Sequence, residues 1–401
     1  MIHRRNYNAV VQLADGRAVT GKPSAHSAVT WQDVGIDQCQ VRTRMFVDIL
    51  AAQMDNGRVL VSIEIGQPLV DITSVIDELL GNDAKSTRGI YFSGDTVIVV
   101  AGRQIGGINV DRDGRATVCT HITFESDIDL IGLDYHCGHA VVRTINDQLY
   151  IINRLYPIIG LNDAVVGLMR EIVLDNTRNI SKMLSRGGHF FILMYDGRVY
   201  TCSCYTDKDN TNPFKQLIFP ENESVSKIID SEYRVIYLTD KGNCYHTALS
   251  RMPCYNRRPA VLRGLPNMVI ENVFWIGDHL PIGIIQHDGQ KLTRFTLSCR
   301  ANAPEGHIPP CKSHSLYYKC DCFDTAVRIR PLTFFDDKQI ASLVRIREGC
   351  TCFVTDEGRM YSVDNIDDEP IIRRDTFFDA NPIAIKRGGQ CIPSTGSMLM
   401  Q

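Results

Sequence analysis

Short apolar runs recur along the chain, each interrupted by Asp or Asn with Gly and followed by a second apolar run. Residues 186–205 show it most plainly. Phe190, Phe191, Ile192, Leu193 and Met194 form the first run. Tyr195, Asp196 and Gly197 are turn chemistry, because Asp-Gly supplies the positive-φ residues that a tight hairpin needs. Val199, Thr201 and Ser203 then alternate with Tyr200, Cys202 and Tyr205, as in a mostly buried strand. Gly187 and Gly188 mark another reversal ahead of the first run. The pattern predicts strand, turn, strand, and it returns at 9–19, 49–61, 107–118, 141–151, 235–245, 284–292 and 352–361.

The predicted turn positions are Gly16, Gly57, Gly114, Gln148, Gly197, Gly242, Gly289 and Gly358, and their seven intervals average about 49 residues. A period of that length built from strands predicts an all-β fold, a single closed β-propeller with one blade per repeat. One small twisted sheet cannot bury both of its faces, but stacked sheets bury each other's.

The residues ahead of the hairpins repeat too. Ile180, Ser181 and Lys182 have a parallel in Val225, Ser226 and Lys227, and 128–140 and 340–346 follow the same outline. The extended pattern resembles the repeat of the regulator of chromosome condensation family: Gly, two residues, His, an apolar run, then Asp-Gly and Val-Tyr. The copy at 186–205 follows it most closely, those at 136–151 and 350–361 less so, and most others lack the His and the closing Trp-Gly. The resemblance implies seven blades, whereas eight hairpins are present. Either the hairpin at 51–64 is not a blade hairpin or the ring has eight. It also implies a structural role for His139 and His189, bonding between strands of neighbouring repeats. Members of that family act as guanine-nucleotide exchange factors for small GTPases, as chromatin-binding proteins or as interaction modules. Trp31 and Trp275 are the only tryptophans, which argues against the plant ultraviolet-photoreceptor branch.

The two ends complement each other. Residues 382–390 read as the opening strand of a repeat with no hairpin after it, and the hairpin at 9–19 has no opening strand before it. The expectation is a ring closed by N- and C-terminal strands, all of 1–401 forming one domain. Three segments interrupt the repeats. Residues 68–81 place Ile72, Val75, Ile76 and Leu79 at helical spacing, and 161–174 do the same with Val165, Leu168, Met169 and Ile172, so each reads as a short inserted helix. Residues 299–337 carry Pro304, Pro309 and Pro310 and read as a long inserted loop, which on a compact domain is often functional.

Composition narrows the classes. Hydrophobic residues make up 44% and charged residues 22%, with net charge −3, ordinary values for a globular protein. Arginine pairs occur at 4–5, 257–258 and 373–374, but no long basic run appears, so nucleic acid is not an expected partner. No apolar stretch is long enough for a membrane helix. The N-terminus has no signal-peptide core, and 14 cysteines in 401 residues are too dilute for a disulfide scaffold. A reducing, cytoplasmic setting is expected.

The search for chemistry yields little. No phosphate loop, His-Glu-x-x-His or Gly-x-Ser-x-Gly motif is present, and the Asp residues fall mostly in turns. Cysteines two apart at 202/204, 320/322 and 350/352 would lie on one face of a strand and could ligate zinc. Cys299, His307, Cys311, His314, Cys320 and Cys322 form the richest set, but no standard ligand spacing, and free thiols are the plainer reading. No metal or cofactor is expected. The expected function is a non-catalytic protein-binding scaffold. The alternatives are an exchange factor that uses the 299–337 loop and a propeller enzyme with an axial site. Leu316, Tyr317 and Tyr318 in that loop are the predicted partner contacts, since exposed rings carry much of interface energy.

Overall fold

The computed structural model describes residues 9–13, 17–23, 29–33, 42–46, 49–53, 57–62, 69–81, 87–93, 96–111, 113–133, 138–153, 155, 168–186, 188–203, 213–231, 234–248, 259–261, 270–275, 282–287, 291–298, 325–338, 340–347, 350–364, 371–381 and 383. Among them the strands form eight antiparallel sheets, each made of strands consecutive in sequence. Sheet one has three strands within 9–33. Sheets two to eight have four each, within 42–71, 87–123, 128–172, 180–216, 225–261, 270–331 and 340–375. The hairpin at 51–64 is thus a genuine one, supplying the second and third strands of sheet two, Ile49–Gln53 and Val59–Ser62.

The chain divides into two compact units, Met1–Glu171 with Ile340–Met398, and Ile172–Gln339 with Leu399–Gln401. In the first, the helix Thr73–Leu80 follows sheet two and buries Ile76 and Leu80 against Val59, Val61, Ile90 and Val99 of sheets two and three. Asp77 and Glu78 stay exposed, the amphipathic arrangement its spacing predicts. Leu13 and Val19 of sheet one pack with Val354 and Met360 of sheet eight. In the second unit, Leu184, Phe191 and Leu193 of sheet five pack against Val225, Ile228 and Tyr237 of sheet six. Sheets packing face to face bury both sides of each strand, which is why these strands read as apolar runs rather than strict alternations.

The helix predicted over 161–174 is corrected. Leu168–Ile172 is the outer strand of sheet four. Met169, Glu171 and Val173 are exposed while Ile172 and Leu174 are buried, a period of two. The apolar positions satisfied both periods, and pairing along the sheet edge decided between them. The segment predicted as a loop over 299–337 also shrinks: Thr325–Pro331 is the fourth strand of sheet seven and Thr333–Phe335 a 3-10 turn.

One turn recurs between second and third strands. In sheets four, five, six and eight the N–H of Thr144, Met194, Thr239 and Thr355 donates to the carbonyl four residues on, and the N–H three residues on donates back to that first residue's carbonyl. The fourth residue, Asp147, Gly197, Gly242 or Gly358, has φ of 65°, 83°, 77° or 76°. This is a three-residue loop, a type I turn ending in one left-handed residue. It differs from the tight hairpin expected, because Asp196 keeps a negative φ and instead accepts the Arg198 N–H through Oδ1 at 3.0 Å.

Sheet three departs from the predicted spacing. Gly114 sits at φ 80°, but its turn joins the third and fourth strands, Gln104–Val110 and Ala116–Thr123. The turn between the second and third strands is Gly102-Arg103, with φ 52° at Gly102, the glycine-first two-residue type. Replacing Gly114 by Gly102 turns intervals of 57 and 34 residues into two of 45. A hydrogen bond supports the equivalence. The N–H of Ile128, opening sheet four, donates to Gly102 O at 2.8 Å, as Val225, opening sheet six, donates to Gly197 O at 3.1 Å.

The chain's ends meet in the first unit. Ile383 bridges Leu13 in antiparallel fashion, and its N–H donates to Gly358 O at 3.2 Å. Ile383 therefore stands to sheets eight and one as Val225 stands to five and six. The remainder of the strand predicted over 382–390 lies outside the described residues.

Candidate functional site

The predicted contacts Leu316, Tyr317 and Tyr318 lie outside the described residues, within the connection 299–324 between the third and fourth strands of sheet seven. Of the predicted turn glycines, Gly16 and Gly289 are also outside. Gly57, Gly114, Gly197, Gly242 and Gly358 all have positive φ. His139 and His189 are buried beside or within second strands. Cys202, Cys244 and Cys352 are buried free thiols, Cys244 with its pKa pushed up by burial. No group of three metal-ligating side chains occurs among the described residues.

What stands out instead is one end of sheet five. Three large apolar side chains are exposed there: Val173 at 61%, Tyr195 at 77% and Ile218 at 49%. An antiparallel meander brings the turn between strands two and three to the same end as the segments that enter strand one and leave strand four. Val173 precedes strand one, Tyr195 sits in the turn, and Ile218 follows strand four.

Local packing forces each of them outward. Val173 lies between buried Ile172 and Leu174, so alternation leaves it facing water. The entry that follows is fixed by Asn176 at φ 61° and the 3-10 turn Thr177–Asn179. Tyr195 is the first loop residue of the turn, and its N–H donates to Asn179 O at 2.7 Å, fastening the turn to that entry. Ile218 lies between Leu217, fully buried with its N–H on Val199 O, and Phe219. The Phe219 ring sits edge-on to Tyr237 and Tyr245 at 5.4 and 5.5 Å.

A polar clamp holds this exit segment. Glu223 Oε1 accepts from Asn243 Nδ2 at 2.9 Å and from the Tyr245 hydroxyl at 3.1 Å. Burial first, and the neighbouring Glu223 carboxylate second, push the Tyr245 pKa up to about 12, so the phenol remains a donor. On the turn itself Arg198 pairs with Asp196 at 2.8 Å and lies over the Tyr200 ring at 5.8 Å. The exposed apolar groups thus stand on braced backbone. In sheet seven Phe334 is likewise exposed after strand four, with Lys338 Nζ over its ring at 4.3 Å, while Phe335 beside it is buried. The sequence carried a faint signal of this end: the first loop position holds Tyr195 but Asp240 and Asp356 in sheets six and eight, where a turn normally takes polar residues.

No family model matches the chain, and no curated protein matches it. Among solved structures, the computationally designed Ika8 protein superposes with TM-score 0.50 at 12% identity, covering 88% of this chain and 94% of that one. RCC1 (Prp20) of yeast, solved bound to Kap60, gives TM-score 0.39 at 12% identity over 61% of this chain; the chain spans 57% of that protein's length. The β-propeller domain of Cps50 (Swd1) from Myceliophteria thermophila gives 0.40 at 7% identity, over 72% and 85% of the two chains. At such identities a likeness speaks to fold alone. Consecutive four-stranded antiparallel sheets, joined by one repeated turn and handed on by one repeated hydrogen bond, make this chain a β-propeller.

Proposed function

We propose that the chain is a non-catalytic protein-binding scaffold, built on repeats of the regulator of chromosome condensation type. The observation that carries this reading is the braced apolar end of sheet five, Val173, Tyr195 and Ile218. Contiguous exposed apolar side chains add nothing to folding and mark interaction sites, and a Tyr on a rigid turn contributes large contact area with little ordering cost. Leu316, Tyr317 and Tyr318 form a second proposed contact. It belongs to a connection at the opposite end of the sheets, so the two contacts can be separated. A reducing intracellular compartment is part of the proposal and suits the free thiols.

The test is affinity capture from the native cell with wild type and two variants. Tyr195→Ser with Ile218→Ser should leave stability within about 1 kcal/mol, as at ordinary surface sites, and lose proteins that the wild type retains. The triple Ser variant at 316–318 tests the second contact in the same way. Identical captures from all three proteins, each still folded, would refute the scaffold reading at these sites.

A further inference from the structure

Sheet three ends in an outer strand unlike the others. Ala116–Thr123 pairs with Gln104–Val110 on its inner side, and no backbone partner meets its outer edge among the described residues. Thr117, Val118, His121 and Thr123 are exposed, Val118 at 47%. An unpaired edge is a template for another strand, and proteins usually blunt it with charge, proline or shortness. The other outer strands obey that rule. Val70–Asp71, Lys215–Gln216 and Ala260–Val261 are two residues long. Leu168–Ile172 carries Arg170, Thr325–Pro331 carries Arg328, Arg330 and Pro331, Ile371–Asp375 carries Arg373 and Arg374, and Val29–Asp33 ends in Asp33. Ala116–Thr123 has eight residues and neither charge nor proline. Its one irregularity is a bulge at Cys119, the residue skipped between Thr120 and Val118 in the pairing.

The flanks indicate the occupant. Arg115 lies just before the strand and Glu125 just beyond it, both exposed, and neither carboxylate nor guanidinium is engaged in an ion pair among the described residues. Two copies related by a two-fold axis near Thr120 would pair antiparallel, setting each Arg115 against the other copy's Glu125. Nothing between them would meet a like charge, which on the arginine-bearing edges would oppose pairing. A net charge of −3 on 401 residues adds little repulsion between copies.

We propose that the outer strand of sheet three is a self-association edge, taking the same strand of a second copy of this chain in antiparallel register. The interface is small, so the association is weak and concentration-dependent. It is distinct from the partner contacts at sheets five and seven.

Sedimentation velocity over a concentration series tests it, alongside hydrogen exchange. The wild type should pass from monomer to dimer, with protection of amides in 116–123 rising as it does. Arg115→Glu or Glu125→Arg alone replaces two opposite-charge pairs with two like-charge pairs and should raise the dimer Kd by about tenfold. The double swap, Arg115→Glu with Glu125→Arg, should restore wild-type association. Thr117→Lys with Thr123→Lys should abolish it, with the melting temperature unchanged. A chain monomeric at every concentration overturns the proposal and leaves the edge to a strand from another protein. Dimerisation indifferent to these swaps, or protection confined elsewhere, overturns it equally.

Discussion

Gly197 does two jobs that the other turn glycines divide. Its φ of 83° is a conformation L side chains rarely take. A Cβ there would also meet Ser224 Cβ at 2.5 Å and Val225 N at 2.9 Å, the backbone entering sheet six. Gly57 has the same φ but nothing within 4 Å. The pair separates strain from contact. Gly57→Ala should cost about 1–2 kcal/mol, the left-handed penalty alone, whereas Gly197→Ala should add a further 1–3 kcal/mol of overpacking. Chemical denaturation of the two variants against wild type measures the difference. Equal losses would mean that sheet five's turn does not press on sheet six. The Asp-Gly pair at 196–197 was legible as a turn because backbone chemistry is written locally. Its neighbour across the sheet boundary, Ser224, lies 27 residues on in the sequence, and nothing local announces that approach.

Above single residues, the repeated unit is defined as much by a bulge as by its turn. In six sheets the first strand skips one residue just after it begins, at Arg88, Asp129, Ser181, Ser226, Glu271 and Ala341. In sheets five and six the skipped residue is Ser. Its hydroxyl donates to the carbonyl opposite, Ser181 to Leu193 O at 3.2 Å and Ser226 to Leu238 O at 3.1 Å. A bulge interrupts the ladder locally, and the hydroxyl meets a carbonyl at that break. Ser226→Ala should therefore cost about 1 kcal/mol, and combining it with Ser181→Ala should nearly double the loss, as for sites in separate sheets. Thermal melts of the two single variants and the double one check this; no loss in either single variant would remove the bulge bond from the account. The recurring Ile/Val-Ser-Lys triplet was visible in the sequence, but its bulge was not, since a skipped residue leaves the apolar pattern intact. The Gly102 turn was hidden for a related reason. Ala-Gly-Arg-Gln at 101–104 has no Asp or Asn to mark it, while the better-marked Asp113-Gly114 turn belongs to a different connection.

At the scale of the molecule, the question is how a chain of stacked sheets ends. The sequence supplied half of the answer, a hairpin lacking an opening strand and a C-terminal apolar segment lacking a hairpin. What it could not supply was register, because pairing across some 370 residues depends on which carbonyl receives which N–H. Register is fixed at one point. Ile383 pairs with Leu13 as Val225 pairs with Thr239 and Ile180 with Met194, in each case the residue that opens the turn. Side chains reinforce it: Ile383 and Leu13 are buried with Phe378 and Met360, Arg17 Nη2 donates to Asn381 Oδ1 at 2.9 Å, and Trp31 Nε1 donates to Asp375 Oδ2 at 2.6 Å. The C-terminal segment is thus part of the core of sheet one, despite being its most distant neighbour in sequence. Ile383→Asp places a carboxylate in that core and should cost several kcal/mol, the scale of a buried unpaired charge or a lost large core side chain, a large share of a typical folding free energy. Deleting 382–401 should cost a similar amount, and in both variants hydrogen exchange should accelerate at Ala9–Gln12 and Ala18–Pro23 before it does in sheets five and six. If the amides of sheet one keep wild-type protection after the deletion, the two termini do not depend on each other.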